Sequence, residues 1–148
     1  HQGLGSTFSV DLPFESADKP EVIDSLSATH ATPDGGYDFT GVRILVVEDH
    51  VLNRQLLLAL LNKVNANVTV ATQGEEALDL LAQTEEPFDL ILMDCHMPKL
   101  DGFSAARKIR GSSGIHKKIP IIALTADVLI ETKKKCKKVG LFWDCEST

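Results

Sequence analysis

The rhythm of apolar and polar residues changes at Gly41. Before it, Phe8, Val10 and Leu12 alternate with polar neighbours, which predicts a half-buried strand after a Gly3/Gly5 turn. Residues 15–40 are rich in Glu, Asp, Ser, Thr and Pro and hold no sustained period, so they read as linker. Within them, Val22, Ile23 and Leu26 suit a short amphipathic turn. From Gly41 onward, short apolar runs alternate with helical patterns. Arg43-Ile-Leu-Val-Val-Glu-Asp49 is a β-branched run ending in two acids, and Leu56, Leu57, Leu60, Leu61 and Val64 then recur at helical spacing over residues 53–64. Asn67 to Ala71 is a short strand, and Thr72-Gln-Gly-Glu75 is a capping box opening a helix through Ala77, Leu78, Leu80 and Leu81.

The central run, Leu90-Ile-Leu-Met93, is wholly apolar, as a parallel strand covered on both faces requires. It ends in Asp94, a Met97-Pro98 turn and a bend at Gly102, followed by a helix over residues 104–110 and a Gly111–Gly114 loop. Lys118 to Ala126 reads as a fourth buried strand, with Pro120 near its start, and a lysine-rich helix runs to Val139 before Gly140 stops it. Strands alternating with helices of this length mean right-handed βαβ crossovers and an α/β fold with a doubly wound parallel sheet.

Parallel strands share one carboxyl edge, where ligands of open α/β sheets gather. Three strands end there in polar groups: Glu48-Asp49, Asp94 and Thr125. Asp94 alone would read as a helix cap, Thr125 as an N-cap, and Glu48-Asp49 as a surface pair. Together, however, three acids repel and raise one another's pKa values unless a hard cation lies among them. Oxygen-only ligands, with no His/Cys ligand spacing, favour Mg²⁺ over zinc. Such a cation also neutralises an incoming phosphoryl group, so that Asp94 can attack phosphorus while the Thr125 hydroxyl donates to a phosphoryl oxygen.

Composition narrows the choice. The 148 residues are 43% apolar and 24% charged, enough for one globular domain plus extra sequence. A net charge of −6 argues against nucleic acid as a partner. Lys133, Lys134, Lys135, Lys137 and Lys138 read as the solvated face of a helix. Cys95, Cys136 and Cys145 are odd in number and form no C-x-x-C pair, which suits reduced thiols in a cytoplasmic protein. Cys95 reads as a packing residue and His96 as a solvent-facing one. No apolar run reaches membrane-spanning length and no signal peptide opens the chain, so this segment makes no membrane contact. The first residue is His1, not Met, as expected of a piece of something longer.

At this point the sequence resembles the receiver domain of two-component response regulators. The resemblance rests on I-L-V-V-E-D at 44–49, T-Q-G-E-E-A-L at 72–78, M-D-C-H-M-P-K-L-D-G at 93–102 and P-I-I-A-L-T-A at 120–126, in that order. It covers residues 41–140 and implies a flavodoxin-like sheet of strand order 2-1-3-4-5. It implies Asp94 as phosphoacceptor, Thr125 as switch hydroxyl, and Mg²⁺ held by Glu48, Asp49, Asp94 and the backbone carbonyl of His96. The implied partner is a phosphohistidine-bearing kinase or phosphotransfer domain. Residues 1–14 resemble the last glycine box and closing strand of the histidine-kinase ATP-binding domain. The implied organisation is a kinase remnant at 1–14, a linker at 15–40 and a receiver at 41–148. The parent would be a hybrid sensor histidine kinase, membrane-anchored or not, although this fragment lacks the kinase core.

The chain departs from that family after Gly140, where it reads Leu-Phe-Trp-Asp-Cys-Glu-Ser-Thr148. The family's fifth strand and last helix are expected to be truncated or degenerate, and its lysine, which would fall near Ser147, is missing. Lys117 and Lys118 precede the fourth strand and cannot replace it, while Lys99 is a poor surrogate. These losses predict weak Mg²⁺ binding and slow or absent phosphotransfer. They also favour a second reading, a phosphate-independent interaction module or an inactive fragment of a hybrid kinase. An aspartyl phosphatase is disfavoured, because Cys95 and His96 follow Asp94 where D-x-D would be required.

Overall fold

The computed structural model describes residues 37–125 and 130–142. The expected strand at Phe8–Leu12, the turn at Val22–Leu26, the kinase remnant and most of the linker lie outside these residues. So do the lysine position near Ser147 and the last helix.

Four parallel strands form the sheet: β1 (Arg43–Val47), β2 (Asn67–Ala71), β3 (Leu90–Asp94) and β4 (Ile121–Leu124), in the order β2-β1-β3-β4. The helices between them are α1 (Val51–Lys63), α2 (Gly74–Gln83) and α3 (Gly102–Gly111), and α4 (Ile130–Val139) follows β4. The expected order 2-1-3-4-5 therefore holds for its first four members. The fifth is reduced, among the described residues, to a parallel bridge in which Phe142 N–H donates to the Ile121 carbonyl at 2.8 Å and the Phe142 carbonyl accepts from Ala123 at 3.0 Å.

Alternation along each strand builds two cores. Leu45, Val47, Ile91, Met93 and Ile121 face α2, α3 and α4, where Ala77, Leu81, Ala105, Ile109 and Cys136 cover them. Ile44, Val46 and Leu92 face the other way, against Phe39, Leu57, Leu61 and Val64 on the α1 side. The stripe read from the sequence is wider than the sheet needs. Leu57, Leu61 and Val64 are half-buried, whereas Leu56 and Leu60 are 61% and 51% exposed, and α1 holds no buried residue.

Three local expectations shift. The cap of α2 is Gln73, whose side chain makes no cap bond. Thr72 instead donates from its backbone and hydroxyl to Glu76 Oε2, both at 2.7 Å, so the reciprocal acid is Glu76 and not Glu75. The fourth strand is shorter than expected because Ile115–Lys118 coil into a 3-10 helix before it. The helix after Asp94 starts two residues earlier than its apolar pattern, at Gly102, because Asp101 caps it by accepting from Ser104 N–H at 2.9 Å. Gly140 ends α4 in the left-handed region at φ 69°, as a C-terminal glycine does.

Candidate metal and phosphoacceptor site

Strand register assembles the site. Val47 pairs with Met93, and Asp94 pairs with Leu124, so the residues just beyond β1, at the end of β3 and just beyond β4 reach one rim. Glu48, Asp49 and Asp94 each offer a carboxylate oxygen there, all within 4.8 Å of one another. Residues distant in sequence thus form one acidic cluster.

Glu48 is the most enclosed, at 3% exposure. Burial raises its carboxyl above the ordinary glutamate value, Asp94 and Asp49 add repulsion in the same direction, and hydrogen bonds from His50 and Asn53 act against them. Those bonds run from His50 N–H (3.0 Å) and Asn53 Nδ2 (3.3 Å) to Glu48 Oε1. Asp49 and Asp94 are half-buried. The His96 amide donates to Asp94 Oδ1 at 2.9 Å and so fixes the orientation of this carboxylate, while His96 itself is exposed. Thr125 is half-buried and leaves the sheet one residue past Leu124, whose carbonyl accepts from Cys95 N–H at 3.1 Å. An enclosed carboxylate with two like charges beside it suits a divalent cation, and this set of donors could hold one.

Two further features support the site, and the first of them was not legible in the sequence. Arg54, one turn into α1, donates from one guanidinium nitrogen to the carbonyls of both Glu48 and Asp49, each at 3.1 Å. It pins the acidic loop through its backbone and leaves the carboxylates facing the rim. The only available signal was a basic residue soon after two acids. Gly102 is required by space, since a Cβ there would stand 2.2 Å from the Asp94 carbonyl oxygen. Lys99, at φ 65°, directs its ammonium to Gln73 Oε1 at 3.3 Å. Lys117 and Lys118 are exposed at the opposite end of β4, before the strand begins. Behind the rim, Cys95 is buried, and burial pushes its thiol up to about 12, with Cys136 and Asp94 adding to the shift.

A family model described as the response regulator receiver domain matches residues 44–143. The chain is 40% identical over 99 residues to hybrid signal transduction histidine kinase M of Dictyostelium discoideum, covering 66% of this chain and 4% of that protein. It is 30% identical over 142 residues to the sensor protein EvgS of Escherichia coli (strain K12), covering 95% of this chain and 11% of that one. The chain therefore spans about a tenth or less of the length of these curated relatives. Among solved structures it is similar to the receiver domain of the sensor histidine kinase PA1611 from Pseudomonas aeruginosa PAO1, which has a magnesium ion coordinated in its active site cleft. That likeness has 37% identity and a TM-score of 0.62, over 69% of this chain and 81% of that one.

Proposed function

We propose, from the fact that this chain belongs to the response regulator receiver domain family, that it serves phosphorelay signalling by accepting a phosphoryl group on Asp94. The observation that carries the proposal is the meeting of Glu48, Asp49 and Asp94 within 4.8 Å at the carboxyl edge of the sheet. In the reaction, an Asp94 carboxylate oxygen forms a bond to phosphorus as the bond from phosphorus to a histidine nitrogen breaks. The imidazole leaves with that electron pair and takes a proton from solvent.

Glu48, Asp49, Asp94 and the His96 carbonyl would hold Mg²⁺, which when bound offsets negative charge on the phosphoryl oxygens. The magnesium ion in the similar Pseudomonas receiver supports that choice of metal. Arg54 and Asn53 hold the acidic loop in place, the His96 amide holds the Asp94 carboxylate, and Thr125 donates its hydroxyl to a phosphoryl oxygen. The partner is a phosphohistidine-bearing kinase or phosphotransfer domain. The parent protein is a hybrid histidine kinase, a reading supported by the Dictyostelium relative's name and by the match to EvgS over 95% of this chain. Residues 1–14 are then its kinase remnant, 15–40 a linker and 41–148 the receiver, in the cytoplasm. No helix of the described residues is long and apolar enough to cross a membrane.

The test is intact mass after incubation with Mg²⁺ and acetyl phosphate. The expected result is a gain of one phosphoryl group that is absent without Mg²⁺ and absent in Asp94→Asn. Uptake that persists in Asp94→Asn, or no uptake by the unsubstituted chain from either acetyl phosphate or a phosphohistidine protein, would overturn the proposal.

A further inference from the structure

A concavity lies at the opposite edge of the sheet from Asp94. α2 and α3 run back from the acidic rim, so their C-terminal turns meet near the amino ends of the strands, beside the 3-10 helix that leads into β4. Between them is a cleft of about 280 Å³. That is at the foot of the range for small-molecule sites, about 300–1,000 Å³, and suits one ring or a short chain, not a nucleotide. Part of the lining is core, since Leu81 and Ile109 are 6% and 2% exposed. Ile115, in the same lining, is 59% exposed, an apolar side chain left to solvent.

The polar groups of the wall are divided unequally between donors and acceptors. The Thr84 and Ser112 hydroxyls are already committed as donors, to the Leu80 carbonyl at 2.7 Å and the Ile109 carbonyl at 2.8 Å. The same two carbonyls accept from the amides of Thr84 (3.1 Å) and Ser112 (3.2 Å), so at each helix end a carbonyl that would repel an anion is already satisfied. Two donors remain. Lys108 makes no hydrogen bond or ion pair with a described residue. The His116 ring is buried, and its Nδ1 has no hydrogen-bond partner, a condition that buried ring nitrogens seldom tolerate. No carboxylate lines the cleft. What completes such a wall is an acceptor, and beside a free ammonium an anionic one.

We propose that this cleft binds a small amphipathic carboxylate, an apolar ring or short chain whose carboxylate accepts from Lys108 Nζ and His116 Nδ1–H. The apolar body packs on Leu81, Ile109 and Ile115, which gives the exposed isoleucine a covering. Nothing in this inference depends on Asp94 or on a metal.

The test titrates the full chain with 2-naphthoate and with uncharged 2-naphthamide, following amide signals by two-dimensional NMR. The expected result is saturable shifts gathered at Ala82, Ile109, Ser112 and Ile115, with a naphthoate dissociation constant below about 1 mM. Naphthamide should bind about fivefold more weakly, and Lys108→Met, at an exposed position, should weaken naphthoate by about as much while leaving naphthamide unchanged. His116→Phe, which keeps an aromatic ring without its nitrogens, should weaken naphthoate about tenfold. Ala82→Phe, also at an exposed position, should fill the cleft and block both probes. No saturable shift, shifts gathered elsewhere, or binding untouched by Ala82→Phe would overturn the site. Equal affinity for the two probes, or naphthoate affinity untouched by Lys108→Met, would overturn recognition of the anion. Naphthoate affinity unchanged in a folded His116→Phe would overturn the role of the ring nitrogen. The comparison of the two probes uses the unsubstituted chain, so it decides the matter even where His116→Phe does not fold.

Discussion

Replacing Asp94 with Asn should reverse its effect on stability depending on whether Mg²⁺ is present. Asp94 faces Glu48 and Asp49 with carboxylate oxygens within 4.8 Å. At an effective dielectric constant of about 20, two unit charges about 5 Å apart repel by about 3 kcal/mol. Solvent reaches Asp49 and Asp94, and salt screening reduces the relief from losing one charge to about 1–2 kcal/mol. The Asn side-chain oxygen still accepts from His96 N–H, so no hydrogen bond is forfeited. In EDTA, then, Asp94→Asn should be the more stable protein by that amount. A ligand at about 100 times its dissociation constant adds about 2.7 kcal/mol to the state that binds it. Saturating Mg²⁺ should therefore make the unsubstituted chain the more stable, while moving Asp94→Asn far less. Urea unfolding followed by far-ultraviolet circular dichroism, in EDTA and across a MgCl₂ series, measures both arms. A variant less stable than the parent in EDTA, or equal stabilisation of both proteins by Mg²⁺, would refute the claim that these acids share one ion.

Other outcomes follow from single contacts. Gly102→Ala should cost about 1–3 kcal/mol by overpacking and impair phosphoryl uptake, because its methyl would enter the space of the Asp94 carbonyl; urea unfolding alongside an uptake assay checks both. Asp101 titrates below the ordinary aspartate value: burial pulls it up, but bonds from the Ser104 amide and hydroxyl and the Phe103 amide outweigh that. A depressed pKa adds stability above the unfolded value that is lost as pH falls through the folded one. Asp101→Ala should thus cost about 1 kcal/mol at neutral pH, with the gap closing as pH drops below about 3.9 in acid unfolding curves. Arg54→Met should raise the Mg²⁺ dissociation constant by loosening the loop that presents Glu48 and Asp49, measured by calorimetry, with global stability changed by less than about 1 kcal/mol. Leu56→Gln should leave stability within about 0.5 kcal/mol, because that side chain is largely in solvent.

The sheet was readable because its strands are short apolar runs closed by polar groups, and their length and flanking residues separate these from the longer helical stripes. β2 runs over Asn67–Ala71 as the pattern indicated, and β1 and β3 differ from it only at their ends. The acidic cluster was readable for the same reason, since parallel strands bring their C-termini to one edge whatever lies between them. What failed was whatever depended on who sits opposite. Leu56 and Leu60 carry the right spacing for a core stripe, but burial is decided by the surface α1 meets, and they point away from it. The capping acid slipped from Glu75 to Glu76 because a cap is set by where the chain enters the helix, which side-chain identity does not fix. Arg54 joins α1 to the loop after β1 through backbone contacts that the spacing of residues did not announce.

The lack of room at Gly102 has a mechanical corollary. With the first turn of α3 seated on the Asp94 carbonyl, β3 and α3 behave as one stiff body, and a load applied at Asp94 cannot be taken up between them. The end of the strand and the helix that follows it therefore shift together or not at all.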